Sequence, residues 1–342
     1  MEFRSLYIIL LFFLYGADVY AQDTPYWYSL KTGSKASLRG LAAVSEKVCW
    51  ASGSEGTVLR TVDGGQNWQD VSVPGMSALQ FRDIQAFGPD TALILSAGLP
   101  AIICRTTNGG QIWDTVFYSV QEGLFFDAFD FWNQDRGIAF SDAPKDQLYL
   151  IETMDGGKNW TPLPPENLPR VLPKQGGFAA SGTCLKTFGP GKVIIGLGGA
   201  EATVLVSEDY GRSWYHTVAP LDQGEPSKGI FSFDFINEKG FCVGGDYQGD
   251  SLTRFSIAKT TDGGKRWTAV KASGIFGEYR SCIAYIDEQR LVATSRNGCS
   301  YSKNGGRSWQ SLSGSFYTVS VGKDGAVWAS GPEGKVGILS FR

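Results

Sequence analysis

The sequence predicts an all-β protein built from many short hairpins, and three observations carry that prediction. Gly makes up 44 of 342 residues, nearly twice the usual share, which supplies turns. Aromatic residues reach 13%, including 10 Trp and 21 Phe, and suit half-buried strands rather than disordered chain. The third and most specific observation is an octet that recurs six times.

The octets are 61–68, 106–113, 153–160, 207–214, 260–267 and 302–309, with the pattern [ST]-x-[DN]-x-G-x-x-W. Each part has a physical task. Asp or Asn accepts backbone N–H groups inside a tight turn, Gly takes a positive φ, and Trp opens the next strand with a large ring to bury. Successive Trp residues lie 45, 47, 54, 53 and 42 positions apart. One such hairpin per 40–55 residues fits four-stranded blades arranged around an axis.

Counting blades uses the strand after each octet, which reads W-x-x-[VLT]. The same signature stands once without an octet, at Trp27-Tyr28-Ser29-Leu30. The C-terminal part offers three strands, Phe316–Val321, Ala326–Ser330 and Val336–Phe341, with no fourth. The two ends therefore complete one another. A seven-bladed β-propeller over residues 22–342 results, closed by the N-terminal strand, with no open edge between first and last sheets.

Ahead of that domain, Arg4 precedes the apolar run Leu6–Tyr15, and Val19-Tyr20-Ala21 supplies small residues where a signal peptidase reads. Residues 1–21 read as a signal peptide, with a short membrane anchor as the alternative. The protein is then expected to be secreted or periplasmic, with no integral membrane segment once the signal is removed. Export permits disulfides, but Cys49, Cys104, Cys184, Cys242, Cys282 and Cys299 are dispersed among apolar strand residues. Buried free thiols are expected, and a disulfide is the alternative.

Charge and composition narrow the function. With 31 Lys+Arg against 34 Asp+Glu, the chain lacks the basic excess of a nucleic-acid binder. One His and no CxxC argue against zinc sites and His-based catalysis, so no metal and no cofactor are expected. His216 falls on an outer strand. The stretch Gly196-Leu197-Gly198-Gly199 is followed by no phosphate-loop Lys-Ser/Thr.

If the octets mark one end of the propeller, the inner-strand starts lie at the other, the top. Aligning blades on Val44, Phe87, Phe131, Phe188, Phe235, Tyr285 and Val321 puts Arg39, Arg82, Phe126, Thr183, Ile230, Arg280 and Phe316 five residues earlier. Arg39, Arg82 and Arg280 are thus candidates to bind an anion or acidic peptide near the mouth of the channel. The alternative is internal pairing with Asp83, Asp127 or Asp234. The proline-rich connection 161–177 and the connection 219–229 elaborate the same side. The loops Ser141-Asp142-Ala143-Pro144 and Gly244-Gly245-Asp246-Tyr247 face it too, which adds Asp142, Asp246 and Tyr247 to the candidate site.

The octets resemble the Asp-box, or BNR repeat, of sialidases, sortilin-type receptors, xyloglucanase-type glycosidases and photosystem II assembly-factor propellers. In those families the box lies between the third and fourth strands of a blade and is structural. Over the whole chain, blade number, boxes and terminal closure resemble the photosystem II stability/assembly-factor-like propellers. That resemblance implies an arginine patch associated with partner binding, to which Arg39, Arg82 and Arg280 correspond by strand position. The expected function is therefore non-catalytic binding of a protein or glycan on the top face, with an anionic group suited to the arginines. The alternative is a glycoside hydrolase or lyase using paired carboxylates, with Asp142 and Asp246 as candidates. Against a sialidase stand the absence of an Arg-Ile-Pro near the N-terminus, the blade count, and the lack of an evident Tyr-Glu pair.

Overall fold

The computed structural model describes residues 24–142, 146–249, 255–270 and 278–342. The apolar leader run, its cleavage site, and Ala143 and Pro144 lie outside the described residues. Among the described residues, seven antiparallel sheets follow one another along the chain, as the repeat predicts. The seventh is completed by Pro25–Lys31, paired along Lys335–Phe341 from Pro25↔Phe341 to Lys31↔Lys335. Trp27 packs on Phe316 with ring centroids 5.0 Å apart, so the closing strand is held by a side chain as well as by its ladder. The described cysteines are all six buried free thiols, and no disulfide joins them.

Each box sits between the third and fourth strands of its blade, for example between Val58–Thr61 and Gln69–Asp70. In all six, the Ser or Thr hydroxyl accepts the N–H of the Gly four positions on, at 2.8–3.1 Å. The Asp or Asn accepts the N–H four positions beyond itself, at 2.9–3.0 Å. That same Gly has positive φ and lies against the preceding blade. A Cβ on Gly65 would fall 2.5 Å from Leu30, one on Gly157 2.3 Å from Leu93, and one on Gly306 2.3 Å from Phe241. The box therefore fixes a turn and also docks one blade on the next.

At the axis the blades are joined differently. No ladder joins the inner strand of one blade to that of the next, so N–H groups on that side need other acceptors. Side chains of the preceding blade supply them. Ser320 Oγ accepts Ala43 N–H at 3.1 Å, Asp83 accepts Phe129 N–H at 2.9 Å, and Asp130 accepts Thr187 N–H at 2.7 Å. Ser232 and Asp234 accept the N–H groups of Ile283 and Tyr285 at 3.0 and 2.7 Å. Asp83 and Asp234 are thereby engaged in linking blades, Asp234 with Lys186 as a second partner at 3.3 Å.

Two predictions follow from this architecture. Removing residues 24–31 should cost at least about 3 kcal/mol, since Trp27 and a whole strand ladder are lost, and an unchanged melting temperature would mean the seventh blade closes without it. Asp155→Ala should cost about 1 kcal/mol, because the carboxylate bonds N–H groups that are partly open to solvent. The Asp155 carboxyl is held below its ordinary value by Asn159, Thr153 and Lys158, outweighing its slight burial. Its contribution is therefore present above the ordinary Asp range and fades as pH falls through the lowered value. Acid melting curves of wild type and variant should converge.

Candidate functional site

The inner strands of four blades carry a β-bulge near their top ends. The ladder skips one residue between Leu38 and Gly40, between Phe81 and Asp83, between Phe126 and Ala128, and between Ile230 and Ser232. The skipped residues are Arg39, Arg82, Asp127 and Phe231. A bulge leaves its extra residue out of the ladder and re-aims the side chain, which is how arginines can stand beside an otherwise apolar strand.

Arg280 is not their equivalent. The apolar landmarks Val44 and Phe87 lie one residue beyond the last ladder pairs, Ala43↔Cys49 and Ala86↔Ala92, whereas Tyr285 itself pairs with Leu291. Counting back five positions thus lands one residue out of phase, and a slip of one residue reverses which face a side chain occupies. Arg280 takes the inward position that Leu38 and Phe81 hold in their blades. Its guanidinium is 3% exposed and donates to Tyr279 O at 3.0 Å and Ser300 Oγ at 3.1 Å, with Glu278 at 3.7 Å. Burial is the main influence and lowers its pKa, with Glu278 opposing. It is a structural group inside blade 6.

Across the top of the channel runs the chain leading into blade 4. Its carbonyls and hydroxyls reach most of the ring. Arg39 Nη1 donates to Ala180 O at 3.1 Å and Arg82 Nη1 to Ala179 O at 3.5 Å. Ser181 Oγ donates to Ser281 O at 2.9 Å, Thr318 Oγ1 to Ser181 O at 3.4 Å, and Thr183 Oγ1 to Ser232 Oγ at 2.7 Å. Small residues let it lie this close: a Cβ on Gly177 would stand 2.6 Å from the Asp127 carboxyl carbon, and one on Gly182 would collide with Asp83. The segment 177–183 is a plug, and neither composition nor spacing announces it.

Above the plug lies a cavity of about 340 Å³. Phe178 and Phe231 stack on each other in its wall with centroids 3.9 Å apart, and the Tyr247 and Tyr279 rings meet Phe231 edge-on at 6.1 and 4.8 Å. Arg39 lies 4.3 Å over the Tyr317 ring. Arg82 is steadied by Gln80 Oε1 at 2.6 and 3.0 Å, and Arg296 donates to Tyr247 O at 2.7 Å. Burial, then the nearby Arg39, lowers the Arg82 pKa, and Asp127 opposes them. No carboxylate occurs among the described residues lining the cavity. Three guanidinium groups over aromatic walls favour an anionic group with an apolar neighbour.

The candidate residues thus divide. Arg39, Arg82 and Tyr247 line the cavity, joined by Arg296, whose turn Ser295-Arg296-Asn297-Gly298 belongs to the same end and could have been noticed. Asp246 lies outside the cavity wall. It caps its own turn by accepting Gln248 N–H at 3.0 Å, and against partial burial the bonds from Ser227 and then Gln248 bring its pKa below the ordinary value. Asp142 sits under the plug, accepting Gly177 N–H at 2.7 Å. The two do not form an open carboxylate pair across a cleft. Internal pairing of Arg39 and Arg82 does occur, but with plug carbonyls rather than with Asp83, Asp127 or Asp234.

With this geometry in hand, the family described as photosynthesis system II assembly factor YCF48 matches residues 19–123. A solved YCF48 bound to D1 peptide superposes with a TM-score of 0.68 at 16% identity, covering 92% of this chain and 95% of that one. The chain is thus similar to YCF48 in sequence over residues 19–123 and shares the propeller fold with it. YCF48 from Cyanidioschyzon merolae gives 0.66 at 17% identity, over 93% and 99% of the two chains. The GH74 xyloglucanase of Xanthomonas campestris gives 0.62 at 16% identity over 91% of this chain, which spans about half that enzyme, 53%. No curated protein sequence matches. In this propeller, Arg280→Gln should lower stability by about 1–3 kcal/mol through lost buried hydrogen bonds. Ligand affinity per folded molecule should stay at the wild-type level; a weakened affinity with an unaltered melting curve would return Arg280 to the site.

Proposed function

We propose that the protein is an exported, non-catalytic binding propeller that takes an acidic peptide segment of a partner protein in its top cavity. The observation that carries the reading is the pairing of Arg39 and Arg82 with neutral backbone carbonyls in a cavity whose described lining holds no carboxylate. Bonds from a guanidinium to a carboxylate are stronger than those to a carbonyl, so an incoming acid gains what the resting contacts do not supply. The aromatic stack beside them offers a seat to an apolar side chain. A peptide ligand agrees with the D1 peptide on a solved YCF48. Export is supported by Arg4, the run Leu6–Tyr15 and Val19-Tyr20-Ala21.

The test measures binding of acidic, aromatic-containing peptides, their Asn/Gln twins, and neutral and acidic oligosaccharides. Acidic peptides should bind and their twins should bind at least tenfold more weakly. The double variant Arg39→Gln/Arg82→Gln should lose about tenfold or more, the worth of one charge-assisted bond, with little change in melting temperature. Added salt should narrow the difference. Selective binding of oligosaccharides, or full affinity in the double variant, would overturn the reading.

A further inference from the structure

Directly under the plug, a buried carboxyl group meets a half-buried one. Asp127 is the bulge residue of blade 3, 1% exposed, and Asp142 follows the second strand of the same blade. Gly177 presses on both. Its N–H donates to Asp142 Oδ1 at 2.7 Å, and its own Cα leaves room for nothing larger than hydrogen beside the Asp127 carboxyl. Among the described residues, neither Asp127 oxygen receives a well-formed hydrogen bond, although the Ala179 N–H approaches and favours the charged form. A buried carboxylate without a donor is strongly disfavoured, whereas a carboxylic acid can donate its O–H to a neighbouring carboxylate. Asp142 is that neighbour.

The surroundings agree on where the proton goes. Arg82 faces the pair from blade 2, the Cys184 thiol faces it from the start of blade 4, and Lys174 borders the small cavity beside Asp142. Arg82 favours ionisation. Burial, followed by the nearby Asp142, outweighs it and pushes the Asp127 carboxyl far above the carboxylate range. Burial also raises Asp142, while the Gly177 N–H and a bond from Asp127 hold it back. Asp127 is the donor and Asp142 the acceptor.

We propose that Asp127 and Asp142 share one proton, and that this proton clamps the plug segment 177–183 which floors the arginine cavity. When pH rises past the upper titration of the pair, the proton passes to solvent. Two adjacent carboxylates then repel one another, and water is drawn to them through the plug. Arg39 and Arg82 lose the fixed carbonyls of Ala180 and Ala179, so the cavity loosens from below. The clamp belongs to the chain alone and operates whatever ligand the cavity takes, so it can fail or hold independently of the peptide reading.

The sign is set by linkage. The folded pair holds its proton above the pH at which an unfolded Asp releases one, about 3.9, so stability falls with rising pH between that value and the upper titration of the pair. Asp83, raised chiefly by burial, adds a slope of the same sign, and comparison with variants separates the two. In Asp127→Asn a permanent amide donor faces Asp142, and in Asp142→Asn an amide faces Asp127. Both should lose the same part of the pH dependence of melting. Hydrogen exchange of the peptide covering 176–183, corrected for intrinsic rates, should quicken with pH in the wild type by up to about tenfold per unit through the transition, as release of one proton requires. In Asp127→Asn it should not respond. Superimposable melting profiles for all three proteins, or wild-type plug exchange indifferent to pH, would overturn the clamp. Should neither variant fold, assigned carboxyl NMR of the wild type decides: Asp127, distinguished from Asp83, should stay protonated above the ordinary carboxylate range, and ionisation of Asp127 within that range would overturn it.

Discussion

The structure depends on how seven inner strands end at a common axis. Each strand pairs on one side with its own blade and on the other meets a neighbour whose backbone is out of ladder register. The unpaired N–H groups must still find acceptors in a region largely shut off from water. Ser320, Asp83, Asp130, Ser232 and Asp234 supply them to the next blade, so the ring is stitched by side chains that a strand pattern alone would place in solvent. Asp83 is consequently buried as an acid with two N–H donors, and it cannot serve the arginines.

That stitching shapes the site. Bulges break the ladder where strands crowd together, and the side chains released from it are Arg39, Arg82, Asp127 and Phe231. Three of them face the cavity and the fourth lies below the plug. The plug fills the remaining space with Gly and Ala, gives its carbonyls to the arginines and its Gly177 N–H to Asp142. The arginine-lined cavity and the Asp127–Asp142 carboxyl pair thus lie on opposite faces of one short segment.

Much of this was legible in the sequence, and what was not has a definite physical reason. The boxes declare blade number because their turn chemistry is local: a hydroxyl, a carboxyl or amide, and a Gly at fixed offsets. Trp27-Tyr28-Ser29-Leu30 declared the closing strand because its partner strands were visibly short of one. Arg39 and Arg82 stood out because charge at an inner strand is unusual, and both line the cavity. Arg280 was grouped with them because bulges shift register by one residue, and apolar landmarks cannot reveal a bulge. The plug and the Phe178–Phe231 stack escaped notice because their roles arise from contacts among distant blades. Asp127 was considered only as an arginine partner, since a buried acid pair leaves no mark on spacing.

A crystal structure of the protein with an acidic, aromatic-containing peptide would test the central claim most directly, because it locates the ligand without inference from affinity. A peptide carboxylate should lie within hydrogen-bonding reach of Arg39 and Arg82, with an apolar side chain against Phe178 and Phe231 and the plug still beneath it. A peptide seated on the Asp-box end, or bound on top without touching either arginine, would contradict the account.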